Sequence, residues 1–234
     1  MISKDILIES TMVDKRQKLK LPSLFGLFQD IAFADCEKIG YGHDVTTNAG
    51  KLWVFTRVQV EIKKEPSQLD HIEFLTYPNP QKGFAFPRQG LIKNSQGETL
   101  IQICSLSALI DSSSRRLIFK PGLPEAESNS LEGELPLPGK VVADEKVTYK
   151  FSRTIRASDI DLNGHMNNTR YIELLVDTHP TSFYEDHPIT SLLINYESEV
   201  AEGETLDILT NEKATYVRGQ CGDRVCFEAN LNYR

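Results

Sequence analysis

Cysteine is scarce in this 234-residue chain and never paired in sequence. The four cysteines, Cys36, Cys104, Cys221 and Cys226, include no Cys-x-x-Cys spacing. Structural zinc sites typically use such paired ligands, so a structural zinc site is disfavoured. We expect all four to be reduced residues of the core or the strands. We assign no metal ligand and no cofactor to the chain.

Long apolar runs and excess positive charge are also missing. No segment approaches the ~20 apolar residues that span a bilayer. Residues 1–9 show neither a signal-peptide pattern nor the composition of a transit peptide, which makes a cytoplasmic location the default expectation. The net charge of −7 argues against general nucleic-acid binding, which needs basic surfaces to neutralise phosphates. We therefore expect no membrane span and no nucleic-acid partner.

The apolar pattern predicts an α+β protein. Residues 21–40 form a long helix, with Pro22 in its first turn and Gly40 after its end, and it is apolar on most sides. In the strand predicted at 52–63, Val54 and Thr56 share a face with Val58 and Val60. Further strands are predicted at 70–77, 84–93, 99–111, 146–153, 191–198, 205–211, 214–219 and 224–232.

Proline and glycine concentrate between Pro121 and Asp144, which is typical of a connector. The order of strand, long helix and several strands precedes this segment and is repeated after it. We predict an N-terminal unit at 1–125, a linker at 126–144 and a C-terminal unit at 145–234. Each unit is expected to curve an antiparallel sheet around one helix.

The run from Asp161 to Asn168 carries the clearest chemical signal. Asp161, Asn163 and His165 alternate, so in an extended segment all three would project to one side. A helix predicted at 169–177 follows at once, and the free N–H groups at a helix start favour developing negative charge. Asn167 or Asn168 is expected to cap that helix. A carboxylate, an amide and an imidazole at such a place could attack a carbonyl.

These residues extend into a pattern that resembles the acyl-acyl-carrier-protein (acyl-ACP) thioesterase family. The motif D-x-N-x-H-x-N-N-x-x-Y is matched from Asp161 to Tyr171. Segments in the first half are also similar, and the resemblance covers nearly the whole chain in order; these segments are residues 29–32 (Gln-Asp-Ile-Ala), 53–60 (from Trp53 to Val60) and 111–116 (Asp-Ser-Ser-Ser-Arg-Arg). The resemblance implies a double hotdog fold, with two tandem units whose sheets wrap a central helix.

The resemblance implies thioester hydrolysis by Asp161, Asn163, His165 and Glu199. Plant members carry a cysteine after that glutamate; here Val200 stands there, so a cysteine nucleophile is not expected. Glu199 or Asp161 would activate water or attack directly, and the sequence leaves both choices open. Backbone N–H groups near Met166–Asn168 are the predicted oxyanion hole.

The resemblance also suggests that the N-terminal unit binds the fatty chain, through its apolar helix and through Trp53 and Phe55. The implied partner is an acidic acyl carrier protein, and a docking surface could use nearby basic residues: Lys140, Lys146, Lys150, Arg153, Arg156 and Arg170. Three other functions stay open, namely hydrolysis of acyl-CoA, a non-catalytic sensor of acyl thioesters, and a dehydratase. The protein could be a monomer or a homodimer.

Overall fold

The computed structural model describes residues 1–127, 129 and 131–234. Its α-helices are α1 (Leu21–Lys38), α2 (Asn168–Val176) and α3 (Thr181–Asp186). Its strands are β1 (Ile2–Leu7), β2 (Lys51–Ile62), β3 (His71–Pro78), β4 (Phe86–Asn94), β5 (Thr99–Asp111), β6 (Val147–Thr154), β7 (Ile189–Tyr196), β8 (Thr205–Asn211), β9 (Tyr216–Cys221) and β10 (Arg224–Tyr233).

All ten strands join one antiparallel sheet with a symmetric order. The order is β1-β3-β4-β5-β2 in the first half and β7-β10-β9-β8-β6 in the second. Read outward from the centre, each half therefore has the same connectivity. The halves meet where β2 pairs with β7, for example at Val58 opposite Ile194. The α+β prediction of two like units, each with an antiparallel sheet and a helix, is confirmed.

The long helix α1 is held by apolar side chains on several sides. Leu24, Phe28 and Ile31 are almost fully buried, and α1 packs against α2 and against β3 and β1. Burial of each such side chain contributes about 1.5–3 kcal/mol. The helix begins with Pro22 in its first turn, and Gly40 follows its end with a φ of 78°, a left-handed conformation that favours glycine.

Strand β2 differs from its predicted alternation because of a β-bulge. The register against β5 shifts between Phe55 and Arg57. An extra residue reverses which side chains face the helix. Phe55 consequently stacks on Phe28 of α1, with ring centroids 6.3 Å apart, and Val58 is fully buried. The predicted placement of Val54 and Thr56 on the face of Val58 was therefore wrong.

The predicted linker at 126–144 includes Ser128 and Ser130, which lie outside the described residues. Its middle part lies on the N-terminal unit, where the Tyr77 hydroxyl donates to the Glu134 carboxylate at 2.5 Å and Gln89 donates to the Leu135 carbonyl at 2.9 Å. Its end lies on the C-terminal unit, where the Val142 N–H donates to the Asn230 side-chain oxygen at 2.7 Å. In the described part of the chain, no helix combines the length and apolar character needed to cross a membrane.

Candidate active site

The segment that begins at Asp161 forms a tight turn. Asp161 N–H donates to the His165 carbonyl at 2.9 Å, and Gly164 N–H donates to the Asp161 carbonyl at 3.0 Å. Gly164 takes a φ of 81°, which a residue with a Cβ adopts only with strain. The expected extended segment was therefore wrong, because the glycine closes the chain on itself. The side chains do not simply share one side.

His165 lies beside Glu199, which the C-terminal unit supplies from the segment after β7. Their closest atoms, Nε2 and Oε2, are 3.4 Å apart. Arg115 of the N-terminal unit donates from Nη2 to the same Glu199 oxygen and lies 3.3 Å from both ring nitrogens of His165. The three side chains keep 29–38% of their surface exposed, so solvent partly screens their charges.

A second turn delivers Arg115 to this place. The Asp111 carboxylate accepts hydrogen bonds from the Ser114 N–H at 2.7 Å and from its hydroxyl at 2.8 Å, and these bonds lower the pKa of Asp111. Arg115 then adopts a φ of 58° and donates its N–H to the Asp111 carbonyl at 2.9 Å. The sequence prediction noted Asp111–Arg116 as a family-like segment but did not place Arg115 in the site.

A cleft of about 440 Å³ opens between the two units. Asp161 and Asn163 line it from the C-terminal unit, and Trp53 and Phe55 of β2 line it from the N-terminal unit. Phe33 of α1 also lines it and is 49% exposed, although Phe25 and Phe28 of the same helix are core residues. His165 and Glu199 are not among the described residues that line the cleft.

The start of α2 meets only part of the oxyanion-hole prediction. The Met166 N–H donates to the Val200 carbonyl at 2.9 Å, and the Asn167 N–H donates to the Asp159 carbonyl at 2.8 Å. Both N–H groups are therefore already used in backbone hydrogen bonds. Asn168 N–H has no acceptor among the described residues. Asn167 is the predicted helix cap, since its side chain accepts from Thr169 N–H at 2.9 Å.

The structure offers no activated thiol at the cleft within its described residues. Val200 is fully buried, so the position after Glu199 belongs to the core. Cys36 lines the cleft, but burial raises its pKa, and the nearby Arg88 charge offsets that only in part. A thiol with a raised pKa is a poor nucleophile at neutral pH. The polar groups that remain are carboxylates, an amide, an imidazole and a guanidinium.

The fold is that of a double-hotdog protein. An acyl-ACP thioesterase from Bacteroides thetaiotaomicron superposes with a TM-score of 0.86 at 22% identity, covering 99% of this chain and 97% of that one. The 12:0-ACP thioesterase from Umbellularia californica gives 0.82 at 21% identity, covering 100% and 96%. At such identities these likenesses show the fold.

The family follows from the sequence. The model of the acyl-ACP thioesterase N-terminal domain matches residues 2–119, and that of the C-terminal domain matches residues 143–229. The chain belongs to the acyl-ACP thioesterase family.

Curated relatives agree with this assignment. A chloroplastic acyl-[acyl-carrier-protein] hydrolase of Cuphea viscosissima is 24% identical over 220 residues, which cover 87% of this chain and 53% of that protein. A chloroplastic palmitoyl-acyl carrier protein thioesterase of Gossypium hirsutum is 26% identical over 226 residues, covering 89% and 54%. The chain spans about half the length of these relatives.

Proposed function

We propose that this protein hydrolyses the thioester of fatty acyl-ACP, releasing free fatty acid and so terminating fatty acid synthesis. The observation that carries the proposal is the juxtaposition of His165 and Glu199, 3.4 Å apart, beside a turn whose Asp161 and Asn163 line a cleft. A carboxylate next to an imidazole is suited to take a proton from water, and such help is worth ~10²–10⁴-fold in rate.

Glu199 is the activating carboxylate in this proposal. Of the two acids left open by the sequence, it is the one in contact with the imidazole. Asp161 instead accepts the Asn163 N–H at 2.8 Å, which shapes the turn. Water held by Glu199 and His165 attacks the thioester carbonyl, and the proton moves through the imidazole to the departing sulfur. Arg115 holds the Glu199 carboxylate in place.

Asn163 and the Asn168 N–H are the proposed partners of the carbonyl oxygen. Asn163 lines the cleft, and the Asn168 N–H belongs to the first helical residue of α2. Donors aimed at the position where negative charge develops typically contribute ~10²–10³ in turnover each. Asn163→Ala is therefore expected to lower kcat more than KM.

The fatty chain is proposed to occupy the cleft against the N-terminal unit. Its walls carry aromatic side chains: the Trp53 and Phe86 rings meet edge to face at 4.9 Å, and Tyr41 lies 6.1 Å from Trp53. Apolar walls with few polar groups are typical of small-molecule sites. In this proposal the N-terminal unit binds the chain and the C-terminal unit performs the chemistry.

The carrier protein is proposed to dock on the basic residues that precede and follow the turn in the sequence. Of the predicted candidates, Arg153 and Arg170 are occupied by Asp159 and Glu173 of the same chain. The remaining four are exposed and are Lys140, Lys146, Lys150 and Arg156. Because steering by exposed charges is screened by salt, charge reversal at these four should raise KM for acyl-ACP mainly at low ionic strength. A cytoplasmic monomer or homodimer is the form we propose.

The experiment compares two thioesters of the same fatty chain, one on acyl carrier protein and one on CoA. We expect a higher kcat/KM with the carrier protein across a panel of chain lengths, measured as released free fatty acid. Equal or better hydrolysis of acyl-CoA would contradict the carrier specificity. Binding without turnover would contradict hydrolysis and favour a sensor.

A further inference from the structure

The N-terminal unit contains a turn with the same backbone hydrogen bonds as the Asp161 turn. Asp14 N–H donates to the Lys18 carbonyl at 2.9 Å, and Gln17 N–H donates to the Asp14 carbonyl at 2.9 Å. Arg16 N–H donates to the Asp14 carboxylate at 2.8 Å, as Asn163 N–H does to Asp161. Gln17 has a φ of 60° at the position of Gly164.

The agreement extends beyond the turn. Bridges at the two ends match, Val13 with Leu19 and Ile160 with Met166. Three further backbone hydrogen bonds of the N-terminal unit have a counterpart in the C-terminal unit. Leu19 N–H donates to the Pro66 carbonyl as Met166 N–H does to Val200, and Lys20 N–H donates to the Met12 carbonyl as Asn167 N–H does to Asp159. Ile8 N–H donates to the Asp70 carbonyl as Ile155 N–H does to Glu204. A constant offset of 147 residues relates the turns.

The pairing assigns each site residue a counterpart. Since Pro66 takes the place of Val200, the preceding Glu65 takes the place of Glu199. Asp14 corresponds to Asp161, while Arg16 and Lys18 correspond to Asn163 and His165. The acids are therefore retained, and the amide and the imidazole are replaced by two cations.

One of these cations, Arg16, pairs with both acids. Arg16 donates to Asp14 from Nε and to Glu65 from Nη2, both at 2.8 Å. Burial alone would lower the pKa of Arg16, but the hydrogen bond to Asp14 and the charge of Glu65 outweigh it and raise the pKa. Lys18 donates to the Ser67 hydroxyl at 2.8 Å. An ammonium group cannot relay a proton as an imidazole does.

A groove of about 590 Å³ lies at this turn, between the start of α1 and α2. Asp14, Arg16 and Glu65 line it, together with apolar residues such as Leu24 and Val176. It is the counterpart of the cleft at Asp161, because each space lies between one unit's turn and the other unit's helix. Arg16 also donates to the Tyr184 carbonyl of α3 at 3.0 Å, which ties the groove's rim to the C-terminal unit.

We infer that this groove is a second, disabled thioester site of the same class as the one at Asp161. The inference rests on the proposed function for the chemistry of the class. Arg16 disables it by pairing with Asp14 and Glu65, and Lys18 disables it because it stands where the imidazole would be. Restoring Asn, Gly and His at positions 16–18 would again place an imidazole beside Glu65, where water could be activated by the same carboxylate-imidazole pair.

The decisive experiment grafts the turn in a protein whose C-terminal site is silent. In a His165→Ala background, Arg16→Asn, Gln17→Gly and Lys18→His are combined, and hydrolysis of acyl-ACP is measured. The matched control carries only the first two substitutions. We expect at least a ~10-fold gain over the control, at the low end of general-base assistance, and loss of that gain with Glu65→Gln. A folded graft no faster than its control would overturn the inference.

A second variant covers the case in which the graft does not fold. Lys18→His alone keeps the Arg16 contacts, and the pKa of the introduced imidazole is read by NMR with and without Glu65→Gln. We expect Glu65→Gln to lower that pKa, because a neighbouring carboxylate favours the protonated ring. No change would show that the residue at 18 does not face Glu65 and would overturn the correspondence. The unmodified protein is assayed in parallel; its inactivity would refute the proposed function, while this NMR result would still decide the correspondence.

Discussion

Replacement of Arg115 tests the least expected contact of the site. The guanidinium donates to Glu199 and lies 3.3 Å from the His165 ring. A hydrogen bond between charged groups contributes about 1.5–3 kcal/mol. Since Arg115 is 33% exposed and Glu199 38% exposed, we take the lower half of that range. About 1.5–2 kcal/mol corresponds to a ~10–30-fold loss of kcat/KM for Arg115→Ala.

The assay is steady-state release of fatty acid from one acyl-ACP, with Arg116→Ala as the matched control. Arg116 is the exposed neighbour in the same turn, and its loss should change kcat/KM less than ~2-fold. Arg115→Lys should recover part of the activity, because it restores the charge without the planar fork. If Arg115→Ala were as active as the wild type or more active, the guanidinium would be blocking Glu199, and the positioning role would be refuted.

Three further predictions concern stability, measured by urea unfolding. Asp35→Ala should cost about 3–5 kcal/mol, because it leaves the Arg88 guanidinium, 2.8 Å away, buried without its partner; a cost below ~1 kcal/mol would contradict this. Gln17→Gly should stabilise by about 0.5–1 kcal/mol, since its φ of 60° is strained for a residue with a Cβ; destabilisation would contradict it. Burial, then the charge of Glu173, raise the pKa of Asp177, so its proton is bound more tightly in the folded state. Asp177→Asn should therefore stabilise at neutral pH, with the gain vanishing below about pH 4, whereas Asp144→Asn should destabilise at neutral pH because the Asn211 hydrogen bond lowers the pKa of Asp144; equal signs would refute the argument.

Local patterns predicted the fold well where one interaction dominates. Helix α1 follows from its apolar side chains, and β5 from a largely apolar segment that ends at the Asp111 turn. The bulge at Phe55 escaped prediction, because a period-2 pattern carries no sign of an inserted residue. Helix α3 also escaped, since six residues after Pro180 are too few to show a helical period.

The sequence likewise predicted some features of the candidate site and missed others. The family-like motif identified Asp161, Asn163 and His165, but their geometry depends on Gly164, whose φ of 81° closes the turn. Arg115 lies 84 residues before Glu199, and only the folded chain brings them together. The counterpart turn was equally hidden, because the two turns share hydrogen bonds rather than side chains. Whether the four predicted residues are catalytic stays a prediction.

His165 and Glu199 are proposed to activate water together on an acyl-ACP thioester. The most direct test of this pair measures free fatty acid released from acyl-ACP by the wild type, by His165→Ala, by Glu199→Gln and by the double variant. Each single change is expected to lower the rate of release at least ~100-fold, and the double change little more, because the two side chains act as one unit. Near-wild-type release by Glu199→Gln in a folded protein would contradict it.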